Sequence, residues 1–428
     1  MIERITIKNF KSFKDVTLKL GPMNLFIGAN ASGKSNFFDA LRVLQGIGYG
    51  FTIHEILDGK PKSATSEVWE GIRGGSHMAG FVSEDTDKPT SLQVTGRSSD
   101  KGNNSFEFAI AFSAKEGRLR EERLTIGRDT IYDSSPESND GLSREFKVRY
   151  YEHSGKNVSV PLDANRSVLR QIGLREDLIL EEAQIQSLEA VVGPINRTRL
   201  LTGPFPSEMA IWAARILADM QRIDPSPSLL RAYSQAYEIK RMGEHGENLA
   251  ALIRMICSDP ATKEAYLSWL RELRPRDVDD VGVLKGAIGE PMVMMKERGR
   301  EWPAPALSDG TLRFAAIAAA FFQPDMPGIL TIEEIENGIH ASRLRLLVEL
   351  LRSRAAAGKT QVMATTHSPI VLAWLKPEEY ATTFYCKRDE ETGESRIVPL
   401  NEIPRFNEIV SRQPISDLFA EGWMETAL

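Results

Sequence analysis

Cysteine is nearly absent: Cys257 and Cys386 are the only two in 428 residues. Two isolated thiols cannot build a disulfide framework or a CxxC zinc site, so a reducing, cytoplasmic setting is expected. No stretch reaches the roughly 18–20 apolar residues that a membrane-spanning helix needs, and no membrane partner is expected. The opening Met1-Ile-Glu-Arg-Ile-Thr-Ile-Lys-Asn-Phe10 lacks the apolar core of a secretory signal, and none is expected there. An excess of basic charge is also missing, since 53 Lys+Arg stand against 59 Asp+Glu, a net charge of −6. That excludes a uniformly basic nucleic-acid binder but leaves room for a local basic groove. There is no sustained heptad, internal repeat or extended low-complexity tract, which excludes a long coiled-coil arm. What remains is an ordinary globular composition, 42% hydrophobic and 26% charged, long enough for two or three structural units.

The first 45 residues read as strand, strand, strand, loop, helix. Ile5 and Ile7 alternate with polar neighbours, as do Val16, Leu18 and Leu20; period two marks half-buried strands. Met23 to Ile27 is a short apolar run suited to a buried strand, and Phe37, Phe38, Leu41 and Leu44 then recur at helical spacing. Alternating runs at Ser91 to Thr95, Ser105 to Phe112 and Arg118 to Ile126 predict a small antiparallel sheet. The polar stretch Asp133 to Gly141 is expected to be a boundary loop. Ile211 to Gln221, Leu229 to Ile239, Asn248 to Cys257 and Lys263 to Leu273 have helical spacing. From about residue 285 strand and helix alternate: helix over Leu307 to Phe322, strand over Gly328 to Ile332, helix over Ala341 to Ala357, strand over Gln361 to Thr365. The pattern is α/β split by an insert.

Gly28-Ala29-Asn30-Ala31-Ser32-Gly33-Lys34-Ser35 joins an apolar strand to a helix. Glycines let backbone N–H groups approach phosphate oxygens, and the helix adds its free N–H groups and positive dipole end. Lys34 can reach the β/γ phosphates of a nucleoside triphosphate and the Ser35 hydroxyl can ligate Mg²⁺. Gly328-Ile-Leu-Thr-Ile-Glu333-Glu334 is an apolar strand ending in two carboxylates, where one acid can serve the metal and the second the attacking water. Leu307-Ser308-Asp309-Gly310-Thr311 opens a helix, offering a second anion site or simply an N-cap. His367, in Ala364-Thr-Thr-His-Ser-Pro369, follows an apolar strand one step beyond the acidic pair.

In this order the four motifs resemble those of an ABC-type ATPase, more narrowly the SMC/RecF/OLD-like branch that includes bacterial predicted AAA family ATPases without a C-terminal nuclease domain. The carriers are Ile7-Lys-Asn-Phe-Lys11-Ser-Phe13, Gly28 through Asn36 with Asp39-Ala40, Ile332-Glu-Glu-Ile-Glu-Asn-Gly-Ile-His340 and Thr365-Thr-His-Ser-Pro369. The phrase Gly243-Glu-His-Gly-Glu-Asn-Leu-Ala-Ala251 is similar to the OLD-like group. The resemblance implies an ABC-type P-loop head, with a mixed sheet plus an antiparallel β subdomain, interrupted by a mainly helical insert. Its parts would be 1–135 (N-terminal lobe), 136–285 (insert) and 286–428 (C-terminal lobe).

It further implies ATP and Mg²⁺ as cofactors and a homodimer, or higher oligomer, with two ATP sandwiched at the interface. Carried over by position, Gly28, Asn30, Ser32, Gly33, Lys34, Ser35 and Asn36 would bind nucleotide, with Lys11 bordering it. Ser35 and Glu333 would hold Mg²⁺, and Glu334 would polarise the attacking water. Ser308 and Gly310 would meet the γ-phosphate in trans, and His367 in cis. Gln93 is a default candidate for the family's Q-loop glutamine. Glu333 in place of the usual Asp, and Ile335 in place of Pro, depart from the pattern. The acids after His367 (Glu378, Glu379, Asp389, Glu390, Glu391) read as a solvated turn, so no nuclease domain is expected. The function expected is an ATP-driven switch engaging DNA or a separate effector, as in phage defence. The alternatives are a RecF-like repair or recombination ATPase and, disfavoured by the large insert, a transporter's nucleotide-binding subunit.

Overall fold

Along Ile2–Phe10 (β1) the alternation buries Ile2, Ile5, Ile7 and Phe10 and leaves Glu3, Arg4 and Lys8 exposed, as expected for a strand with one face on a core. The computed structural model describes residues 1–61, 69–81, 88–97, 105–134, 145–151, 157–173, 206–235, 237–273 and 277–428. The chain divides into two compact units, each gathered from separated segments. The first comprises Met1–Leu20, Ser35–Asp219 and Arg388–Arg396; the second comprises Gly21–Lys34, Met220–Lys387 and Ile397–Leu428.

In the first unit, β1 pairs with Phe13–Lys19 (β2) on one side. On the other follow Thr90–Arg97 (β4), Ser105–Ser113 (β5), Arg118–Ile126 (β6), Asp129–Ser134 (β7), Glu145–Tyr151 (β8) and Asn157–Asp163 (β9). The eight strands run in the order β2-β1-β4-β5-β6-β7-β8-β9, each antiparallel to its neighbours. The expected strands at 91–95, 105–112 and 118–126 are all present, in a sheet larger than expected. Strands β8 and β9 lie where the sequence suggested the start of a helical insert; of the expected boundary loop, residues 135–141 lie outside the described residues. Helix α1 (Lys34–Tyr49) buries Phe37, Phe38, Leu41, Leu44 and Ile47. It lies so close to α2 (Pro206–Ala218) that a Cβ at Gly48 would stand 2.4 Å from the Ala218 nitrogen.

The second unit is built on a six-stranded sheet. Its members are Met23–Ile27 (β3), Met220–Ile223 (β10), Ile329–Ile332 (β14), Gln361–Thr366 (β15), Thr383–Arg388 (β16) and Ser395–Pro399 (β17), in the order β10-β14-β15-β3-β16-β17. The pairs from β10 through β16 are parallel. Strands β3, β14 and β15 are buried at every residue, in keeping with their mostly apolar sequences, and they bury Asn24, Thr331, Gln361, Thr365 and Thr366 as well. A three-stranded meander, Val278–Lys285 (β11), Pro291–Glu297 (β12) and Arg300–Pro303 (β13), accompanies it. Helices α3 (Leu249–Ile256), α4 (Pro260–Leu273), α5 (Asp309–Ala320) and α6 (Leu344–Ala356) share one apolar core with the sheet.

The helix expected over Leu229 to Ile239 does not form beyond Pro227–Leu230. There the chain makes long-range bonds instead: Ser234 N–H donates to Pro291 O (2.8 Å) and the Arg231 side chain to Leu307 O (3.0 Å). Among the described residues, no helix is long and apolar enough to cross a membrane.

Candidate active site

Because β3 lies between β15 and β16, its C-terminal end opens at the edge where ligands of parallel α/β sheets bind. The loop that follows has an unusual backbone. Gly28 has φ +149°, Gly33 φ +106° and Ala31 φ +62°. A Cβ at Gly28 would stand 2.3 Å from the carbonyl oxygen of Cys386 and 2.9 Å from Ser32 Oγ, so only glycine fits. Lys34 is buried, and its ammonium donates to the carbonyls of Gly28 and Ala29, both at 2.7 Å. Burial lowers its pKa, opposed by the nearby Cys386, Glu334, Glu336 and Glu333. Burial pushes the Cys386 thiol up to about 12, with the Lys34 ammonium opposing the shift. Ser32 Oγ is buried with no hydrogen-bond partner, while Ala29, Asn30 and Ala31 are exposed. An unpartnered hydroxyl and a lysine resting on its own loop are donors that a phosphate chain satisfies; the loop fits such a ligand.

At the end of β14, Glu334 adopts φ +48°, the left-handed region that a non-glycine residue rarely occupies. Its backbone is held on every side: Glu334 N–H donates to Thr365 Oγ1 (2.8 Å) and Asn337 N–H donates to Glu334 O (2.9 Å). Arg313 donates to Glu333 O (3.2 Å) and Glu334 O (3.3 Å). The Glu334 carboxylate accepts from the Asn337 side chain. Strain of this kind persists only where the surroundings over-determine it, and it gathers at reactive sites. Glu333 pairs with Arg222 (3.2 Å), which also pairs with Glu244 (3.1 Å), so the Gly243–Ala251 phrase reaches the acidic strand through one arginine. His367 follows β15; its ring Nδ1 is 3.0 Å from Glu336 Oε1.

Ser308 is the N-cap of α5, accepting from Thr311 N–H (3.3 Å), and its hydroxyl shares a hydrogen bond with that of Thr311 (2.8 Å). Gly310 abuts the segment after the acidic pair: a Cβ there would stand 2.3 Å from Gly338 O. Arg231 holds Asp309 and Leu307 O. Sequence reasoning passed over Arg313, whose guanidinium is buried and also reaches Pro225 O (2.9 Å) and Asp224 (3.3 Å). The available signal was a lone cation within the apolar run Leu312 to Ala320. Arg222, a lone cation in the short strand β10, carries the same signal.

The first unit holds the remaining candidates. Lys11, at φ +51°, has a side chain only 7% exposed that is ion-paired with Asp39 and donates to Arg73 O (2.7 Å). Burial lowers its pKa while Asp39 opposes the shift. Asn36 donates to Ser12 Oγ (2.7 Å) and Arg73 to Ser35 O (2.8 Å), so the turn between β1 and β2 is clamped to the start of α1. Lys8 pairs with Asp15 (3.1 Å); with Lys11 engaged as well, the basic residues of the hairpin are partly neutralised. Gln93 lies within β4 and donates to Glu107 (2.9 Å).

Two family models match the chain. One, described as "AAA ATPase domain", covers residues 1–163; the other, described as "AAA domain, putative AbiEii toxin, Type IV TA system", covers residues 293–373. The first spans the phosphate loop; the second spans the α5 N-terminus, the acidic strand and His367. An "ATP/GTP phosphatase" of Helicobacter pylori (strain ATCC 700392 / 26695) is 24% identical over 409 residues, covering 91% of this chain and 93% of the relative. Among solved structures, an SMC head bound to the C-winged helix domain of ScpA is 15% identical with a TM-score of 0.49, covering 93% of this chain and 96% of that one. The SMC head domain from Thermotoga maritima is 12% identical with a TM-score of 0.41, covering 93% and 98%.

Proposed function

We propose that this chain, an ATPase of the SMC/RecF-like ABC type, closes as a pair around two ATP molecules, reopens on hydrolysis, and through that cycle acts on DNA, on a separately encoded effector, or on both, as a defence switch. The observation that carries the reading is Glu334, held in a left-handed backbone by Thr365, Asn337 and Arg313 while its charge acts on Lys34.

In this reading Lys34 exchanges the carbonyls of Gly28 and Ala29 for phosphate oxygens. Gly28, Asn30, Ser32 and Gly33 line the phosphates, and Asn36 and Lys11 border the nucleotide. Ser35 and Glu333 would hold Mg²⁺, and the bound ion would neutralise phosphate charge. Glu334 accepts the proton of the attacking water. Ser308 and Gly310 present the α5 N-terminus of one copy to the phosphates of the other, and His367 meets them in cis. A dimer held by ATP and released by its loss is a bistable element biased by a γ-phosphate.

The test is ATP turnover of the wild type and Glu334→Gln, with and without linear, circular and single-stranded DNA, followed by inspection of the DNA on a gel. Loss of one general base lowers turnover by about 10²–10⁴-fold, while ATP still binds and light scattering shows pairs accumulating. Undiminished turnover removes Glu334 from this role. Turnover stimulated by DNA that stays intact assigns the trigger to nucleic acid; no stimulation assigns it to a protein.

A further inference from the structure

Glu336 is the acidic residue of the Glu333–Glu336 segment that has no part in the proposed ATPase chemistry, yet it is a largely enclosed carboxylate beside His367. Its side chain is 9% exposed. One oxygen, Oε1, accepts the backbone N–H of His367 (2.7 Å) and lies 3.0 Å from its ring Nδ1. The other, Oε2, is buried with no hydrogen-bond partner, a costly state that folded proteins keep only with reason. Its charge also reaches Lys34. His367 itself is 44% exposed at the side chain.

A carboxylate can only accept, so the short approach to Nδ1 puts the ring's proton there and leaves Nε2 as the outward edge. With the backbone N–H held by the same oxygen, neither the peptide nor the ring can turn without losing Glu336. We propose that Glu336 is the positioning residue of His367, fixing its tautomer and aiming Nε2 at the nucleotide or its attacking water. The inference rests on the ATPase reading for its consequence in turnover, but the pairing itself is testable without nucleotide.

Two measurements test it. In nucleotide-free protein labelled with ¹⁵N-histidine, the His367 ring, assigned by its disappearance in His367→Ala, is expected to show the Nδ1–H pattern in the wild type and to lose it in Glu336→Leu, which has no acceptor to hold that proton. An Nε2–H ring in the wild type, or an unchanged pattern in the variant, overturns the proposal. In ATP turnover, Glu336→Leu lowers kcat by about tenfold or more with little change in KM, as contacting residues of one unit do. Glu336→Asp recovers part of the loss, and Glu336→Leu adds nothing in the His367→Ala background. Equal, multiplicative losses in both backgrounds overturn it. If the wild type shows no turnover the ATPase reading fails, and the nitrogen spectrum still decides the pair.

Discussion

A methyl group at position 310 would stand 2.3 Å from the Gly338 carbonyl oxygen, closer than any real contact. The glycine of the Leu307–Thr311 stretch therefore has a structural reason within one copy of the chain: α5 and the Asn337–Gly338 turn touch there backbone to backbone. Gly310→Ala must push the two apart, and overpacking of this kind destabilises by about 1–3 kcal/mol. The urea midpoint is expected to fall accordingly, with ATP-dependent pairing lost beforehand; an unchanged midpoint would show that the turn yields freely. At this scale the phosphate loop was legible, because glycine, lysine and serine at fixed spacing reflect direct demands of phosphate on backbone and ammonium. Arg313 and the bond between Glu336 and His367 were not. They join residues from different elements, and no spacing along one segment encodes a meeting of α5 with β14, or of β14 with β15.

Between elements, the first unit's sheet is pinned by one buried acid. Glu122 of β6 accepts from Tyr132 of β7 (2.7 Å), from the Ser167 hydroxyl (2.9 Å), and from Val168 and Leu169 N–H (3.1 and 3.3 Å) at the start of the short helix Val168–Gly173. Burial outweighs these four donors and raises its pKa from 4.5 to about 7. In the unfolded chain the group ionises freely above 4.5, so the stability it contributes is full below that pH and is lost as pH rises through about 7. The loss is on the order of 3 kcal/mol. Glu122→Gln faces its amide toward one donor at a cost independent of pH, but removes this slope. Urea midpoints of wild type and variant are therefore expected to converge, or cross, between pH 5 and pH 8, and parallel profiles would show that Glu122 stays ionised. Strands β8 and β9 show the limit of the sequence at this scale: Phe146, Val148 and Tyr150 alternate, as do Val158, Val160 and Leu162, but two short alternating runs beside a long stretch of helical spacing do not by themselves mark where the sheet ends. The opposite limit shows at Leu229–Ile239, where long-range bonds from Arg231 and Ser234 replace the local ones that helical spacing implies.

For the whole molecule, ligand binding and stability are one quantity. ATP that binds only the folded chain stabilises it by about 2.7 kcal/mol at a hundredfold excess over its Kd, so Tm is expected to rise with Mg²⁺-ATP in the wild type. Lys34→Ala is expected to show no such rise and no ATP-driven pairing. A full rise in that variant would mean that nucleotide binds elsewhere. The parallel order of the second unit's sheet carries a consequence for the protein's synthesis. Asn24, just before the phosphate loop, hydrogen-bonds Val362 across 338 positions of chain, and the strands on either side of β3 are β15 and β16. A nascent chain that has not yet emerged past residue 366 carries Gly28–Lys34 without either neighbouring strand, so the loop keeps its own bonds to Lys34 but lacks the sheet that anchors it. Nucleotide competence is thus expected to arrive late in translation, and products truncated before residue 361 are expected not to bind ATP.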